Sequence, residues 1–118
     1  MDREVREPTF FVLAALASGP KHGYGLIKEA ALLSSGRVQL KVGTLYAALE
    51  RLQEQGLVAP AGEELVDGRR RRYFQLTDEG VGLLEAESAR MEANAAQARA
   101  QLKARAARGP AAVQLRAV

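Results

Sequence analysis

Arg69, Arg70, Arg71 and Arg72 stand in an unbroken run directly after Asp67-Gly68, and they are the densest charge in the chain. Asp-Gly between extended segments is a strong signal for a tight hairpin turn. If the arginines follow such a turn they lie on a strand. Successive side chains then alternate, with Arg69 and Arg71 on one face and Arg70 and Arg72 on the other. Guanidinium groups so placed bind phosphate or pair with carboxylates, and Glu63, Glu64 and Asp67 are the nearby candidates for pairing. Not all four can face one polyanion. No other cluster offers comparable chemistry. His22 is the only histidine and there is no cysteine, so thiolate catalysis, disulfides and Cys-ligated zinc are excluded. A turn histidine with Tyr24 or Glu29 to orient it reads as structural. The glycines of "GPKHGYG" lack the lysine-serine or lysine-threonine ending of a phosphate-cradling loop, and no Ser-His-Asp set is present. No catalytic residue, metal ligand or cofactor is expected.

The elements that must position the arginines follow from the hydropathy pattern. A chain of 118 residues suits one domain. Aromatic residues make up only 5%, so the core is thin and points to burial against a second chain. Pro8 opens a first helix, and "TFFVLAALAS" supplies apolar residues around most of its circumference. Gly19 to Gly23 ends it. A second helix runs from about Tyr24 to Leu33, with Leu26, Ile27, Ala30 and Leu33 at helical spacing. "RVQL" suits a minor strand or an extended linker. In "KVGTLYAALERLQEQGLV" Leu45, Ala48, Leu49 and Leu52 form the inner face of a third helix. Gly43, Ala47, Glu50 and Glu54 lie opposite, and Gly56 is placed to end it. Two strands joined at Asp67-Gly68 come next, with Pro60 suited to an edge. Thr77, followed by Asp78 and Glu79, caps a long helix reaching about Ala107.

Helix, helix, third helix and arginine-bearing hairpin form the winged helix-turn-helix plan. The fold class is therefore mainly α with a small β-hairpin, plus one long C-terminal helix. The third helix docks its leucines inward, which leaves the outer stripe free to enter a major groove. The small residues at its start admit DNA closely, and its positive N-terminal end suits phosphate. Glu50 and Glu54 confine such contact to the first turns.

At these residues the chain resembles the PadR family of bacterial transcriptional regulators. "GPKHGYGLIKEA", "VGTLYAALERLQEQGLV" and "DGRRRRYFQLTDEG" are similar to that family's successive signatures, in order, from Phe10 to about Gly80. The single long helix after them resembles the compact branch of the family. The resemblance implies a homodimer on double-stranded operator DNA, acting as a repressor and released by a small apolar or aromatic effector. It implies that Tyr24 and Tyr46 support the recognition helix or touch phosphates, that Lys41 and Thr44 sit at its entrance and that Arg69 to Arg72 lie on the wing; Gly43, Ala47 and Arg51 complete the expected DNA-binding set. Ala47 departs from the proline that many relatives carry after "LY".

The implied organisation is a winged domain over residues 1–77, a dimerisation helix over 78–107 and a flexible tail over 108–118. Along the long helix Leu84, Met91 and Ala98 share one heptad position, and Ser88, Ala95 and Leu102 the other. Leu84, Met91, Ala95, Ala98 and Leu102, joined by Phe10 and Phe11, are the expected dimer contacts, while Val81 and Leu83 are free to fold back on the winged domain. This helix has no Trp, Tyr or Phe, which disfavours a stacking drug site on it and leaves Phe10, Phe11 and Met91 to line an apolar cavity. With no signal peptide and no run of about 18 apolar residues, the expected location is cytoplasmic and away from the membrane. A winged-helix protein-interaction module without DNA binding is the alternative; the arginines speak against it and the two glutamates for it.

Overall fold

The computed structural model describes residues 5–109. Four helices and three strands follow in the order α1 (Glu7–Ala17), β1 (Lys21–His22), α2 (Gly23–Leu33), α3 (Val42–Glu54), β2 (Val58–Val66), β3 (Arg69–Leu76) and α4 (Asp78–Arg108). The fold is the expected winged helix-turn-helix with a long C-terminal helix. Residues through Glu85 form one compact unit, and α4 from Ala86 onward belongs to a second. Helix α4 runs one residue past the expected boundary, to Arg108, and the tail expected after it lies, from Pro110 on, outside the described residues.

Local chemistry explains where each helix stops. Nothing basic lies in the last turn of α1, so its terminal carbonyls are met from outside the helix. Lys21 Nζ donates to Ala15 O at 2.7 Å and to Ser18 Oγ at 2.6 Å. A cation at that end also complements the helix dipole. At the head of α2, His22 Nδ1 accepts from Gly25 N at 3.2 Å. That cap, not Tyr24 or Glu29, is what orients the histidine. Ser34 closes α2 with its side chain buried, its Oγ accepting from Val38 N at 2.8 Å. The chain then reverses through Ser35 and Gly36, both at positive φ. "RVQL" is not a strand; it crosses to α3 with Val38 buried. Arg37 on this crossing meets Glu7 at 2.9 Å. That hydrogen bond and the carboxylate's charge raise the guanidinium above its ordinary pKa.

The sheet has a strand more than the sequence pattern shows. Its order is β1-β3-β2, all antiparallel, with Lys21 opposite Phe74 and His22 opposite Tyr73. Two residues cannot reveal a strand by periodicity; only the partner makes them one. The turn between β2 and β3 places Asp67 at φ 51° and Gly68 at φ 74°. Two successive positive angles are what a type I′ hairpin turn requires. The register slips between Pro60 and Glu63, a bulge near the middle of the wing.

The core gathers Val12, Leu13 and Leu16 of α1, Leu26 of α2, Leu45, Leu49 and Leu52 of α3, then Leu57, Val58 and Phe74. Leu83 and Leu84, in the second turn of α4, pack against it half-buried. Full burial of a side chain such as Phe74 contributes roughly 1.5–3 kcal/mol.

Candidate nucleic-acid interface

The recognition unit is built around the end of α3. Gly56 sits at φ 77°, Gly56 N donates to Gln53 O at 3.0 Å and Leu57 N donates to Leu52 O at 2.9 Å. This is a Schellman ending, in which a left-handed glycine lets the last carbonyls be satisfied. The chain leaves along β2, returns along β3 and reaches Thr77. There Thr77 N donates to Leu57 O at 3.1 Å, and Thr77 Oγ1 donates to Gly56 O at 2.6 Å while accepting from Gly80 N at 3.0 Å. One threonine therefore caps α4 and ties it to the end of α3. The fit is close: a methyl on Gly80 would overlap the Leu57 carbonyl oxygen and meet Leu76 Cδ2 at 3.0 Å.

With Leu45, Ala48, Leu49 and Leu52 buried, α3 shows solvent the stripe Gly43, Ala47, Glu50 and Glu54. Lys41 is its N-cap and makes no side-chain capping bond, so the first-turn amides are not taken by a side-chain cap. Lys41 and Thr44 are exposed beside them. A methyl on Gly43 would meet nothing within 4 Å, so the space in front of the helix start is open. Tyr24, on α2, is 69% exposed. Tyr46 is placed differently. It is half-buried, its hydroxyl fills the space where Gly23 has no side chain, and its ring meets Phe74 edge-on at 6.2 Å. Its visible role is to join α2, α3 and β3. Arg51 lies on the flank toward α1, where it shares a groove with Arg6, Thr9 and Leu83.

The four arginines separate as strand alternation requires. Arg70 and Arg72 share the Phe74 face. Arg70 Nε lies 3.2 Å from Glu63 Oε1, and the Arg72 guanidinium sits 5.4 Å from the Phe74 ring centre. Arg69 and Arg71 share the opposite face with Tyr73, whose ring stands edge-on to His22 at 5.4 Å. Both are exposed and form no ion pair among the described residues. Between α3 and β3 runs a groove of about 510 Å³, walled by Tyr46, Leu49, Glu50, Glu54, Arg72 and Phe74.

The family model described as "Transcriptional regulator PadR-like family" matches residues 12–86, which takes in α2, α3, the hairpin and the junction at Thr77. This chain belongs to the PadR-like family of transcriptional regulators. It is similar to a PadR family transcription regulator from Clostridium difficile R20291, at 27% identity and a TM-score of 0.64, over 82% of this chain and 99% of that one. The structure of Bacillus subtilis PadR in complex with operator DNA shares the fold at 20% identity and a TM-score of 0.60, over 69% of this chain and 46% of that one. An uncharacterized 37.1 kDa protein in transposon TN4556 of Streptomyces fradiae is 44% identical over 77 residues; they make up 65% of this chain and 21% of that protein. The chain thus spans about a fifth of that curated relative's length. Among the described residues no helix is long and apolar enough to cross a membrane.

Gly23, Lys21 and Gly80 are position-setting residues that sequence reasoning missed. Gly23 and Gly80 act on distant parts of the chain, the Tyr46 hydroxyl and the Leu57 carbonyl, and Lys21 reaches back to the Ala15 carbonyl of α1. Of the expected dimer contacts, Leu84 packs on its own core, Phe10 and Phe11 are half-buried and stacked edge-on at 5.3 Å, and Met91, Ala95, Ala98 and Leu102 are exposed.

Proposed function

We propose that this PadR-like regulator binds operator DNA as a homodimer, represses transcription and is released by a small apolar or aromatic effector. The observation that carries the reading is the outer stripe of α3. Its leucine side is fully used by the core, while its first two turns and uncapped amides stand open to solvent, and Arg72 of the wing shares a groove with its outer side. Backbone amides and guanidinium groups are the donors that hold phosphate, and a helix presenting small residues enters a major groove without steric conflict. Lys41, Thr44 and Tyr24 flank the approach. Tyr46 contributes by fixing the angle of α3 against α2.

Dimerisation through residues 78–107 is supported by the exposure of α4. Every residue from Ala89 to Arg108 is exposed, including Met91 and Leu102. A helix so poor in contacts of its own is marginal alone and gains stability from a twin. Ala95 and Ala98 permit close approach. A two-fold pair of recognition helices reads half-sites roughly 34 Å apart, hence a near-palindromic operator. For the effector, the groove between α1, α3 and Leu83 measures about 620 Å³, within the ordinary size of small-molecule sites.

Fluorescence anisotropy on duplex DNA from upstream of the protein's own gene, against scrambled duplex at two salt concentrations, tests the reading. Preferential, salt-sensitive binding supports it; salt-insensitive binding, or none, replaces it with an interaction module. Sedimentation equilibrium tests the dimer.

A further inference from the structure

The stripe that α3 offers to DNA has an unusual composition. Gly43 carries no side chain and Ala47 only a methyl, so neither can hydrogen-bond a base edge. The next residue on the stripe is Glu50, about 10 Å along the axis from Gly43 at 1.5 Å per residue. Glu50 is exposed, and no hydrogen bond or ion pair joins it to another described residue. A carboxylate on a surface that approaches phosphates is repelled by them and gains only where it meets a donor. In the major groove the donors are the amino groups of cytosine and adenine. Adenine sets its N7 acceptor beside the amino group, which repels a carboxylate, whereas the cytosine edge presents the donor with no adjacent acceptor.

We propose that Glu50 is a specificity-determining residue that accepts a hydrogen bond from the N4 amino group of a cytosine in each operator half-site. The inference rests on the DNA-binding reading above and adds the base that is read. Attraction to DNA comes from the amides and arginines; discrimination comes from a group that lowers affinity everywhere except at the right base. Both glutamates wall the groove that also holds Arg72; Glu54 lies roughly 6 Å further along the axis from the N-terminal end of α3 and has no such part.

The test is selection of binding sites from a random duplex library, run on the full chain and on Glu50→Gln, Glu50→Ala and Glu54→Gln. Melting curves confirm that the variants fold, which an exposed position without partners should allow. The wild type should enrich a motif with one fixed cytosine per half-site. Glu50→Gln should move that position toward adenine, whose N6 and N7 suit a bidentate amide. Glu50→Ala should lose the preference there by roughly tenfold, keep it elsewhere, and bind scrambled duplex more tightly. Glu54→Gln should leave the motif intact. One motif shared by all four proteins, with Glu50→Ala merely tighter on every sequence, would overturn the assignment while sparing DNA binding. No enriched motif for the wild type would overturn the DNA-reading function and this inference with it.

Discussion

Gly80 and Gly82 lie two residues apart in the first turns of α4, and alanine should act on them with opposite sign. In a helix interior alanine is favoured over glycine by about 1 kcal/mol, so propensity alone predicts stabilisation at both. At Gly82 nothing lies within 4 Å of the added methyl, and Gly82→Ala should stabilise by about 0.5–1 kcal/mol. At Gly80 the methyl overlaps the Leu57 carbonyl oxygen, with Leu76 Cδ2 at 3.0 Å. The obstacle is backbone, pinned by the Schellman ending of α3, so it cannot rotate away. Relief requires α4 to back off, which stretches the Thr77 bonds to Leu57 O and Gly56 O. Overpacking costs about 1–3 kcal/mol. The two hydrogen bonds, stretched rather than broken, together add about 1 kcal/mol, the scale of one bond lost. Less the propensity gain, Gly80→Ala should destabilise by about 1–3 kcal/mol. For a domain of this size that lowers Tm by roughly 5–20 °C. Thermal melts followed by circular dichroism, at one fixed protein concentration because association shifts Tm, measure both variants. A Gly80→Ala protein as stable as the wild type would refute the close-approach argument.

Gly23→Ala places a methyl 2.6 Å from the Tyr46 hydroxyl and should destabilise by about 1–2 kcal/mol; Tyr46→Phe in the same chain should recover part of this in a double-mutant cycle on urea denaturation. Ser34→Ala leaves the buried Val38 amide without its acceptor and should lower unfolding free energy by about 1–3 kcal/mol. Glu63→Gln breaks an exposed pair with Arg70 and should change stability by less than about 1 kcal/mol in the same assay. Arg69→Ala with Arg71→Ala should flatten the salt dependence of DNA binding by about two units of slope, one per phosphate contact, as read by anisotropy.

What the sequence made legible was whatever depends on near neighbours. The leucine face of α3, the glycine after it, the Asp-Gly turn and the Thr77 cap are set within a few residues, and each stands where the pattern put it. Strand alternation likewise divided the arginines correctly, and Glu63 was among the acidic partners it allowed. Long-range pairing was not legible. Lys21 and His22 look like the tail of a turn until β3 lies alongside them. Gly80 reads as a weak spot in a helix until Leu57 is seen opposite. Tyr46 reads from the sequence as either a support for α3 or a phosphate contact, and the space at Gly23 that its hydroxyl fills belongs to a residue far from it in the chain. The regulatory role came from the resemblance, since no single residue here performs chemistry that would announce it.

The hairpin leaves the body at Leu57 and re-enters it at Thr77, and those two residues are joined by a hydrogen bond. Its base is therefore closed whatever happens at its tip. Evolution can lengthen such an appendage at small thermodynamic expense, because the ends stay fixed and the tip is solvent. Parity limits the freedom. One residue added to each strand turns the outward arginines inward and the inward ones outward, whereas two added to each strand restore them. Descendants of this chain should accordingly vary the wing in steps of two per strand, altering its reach along DNA while the rest of the fold is inherited unchanged.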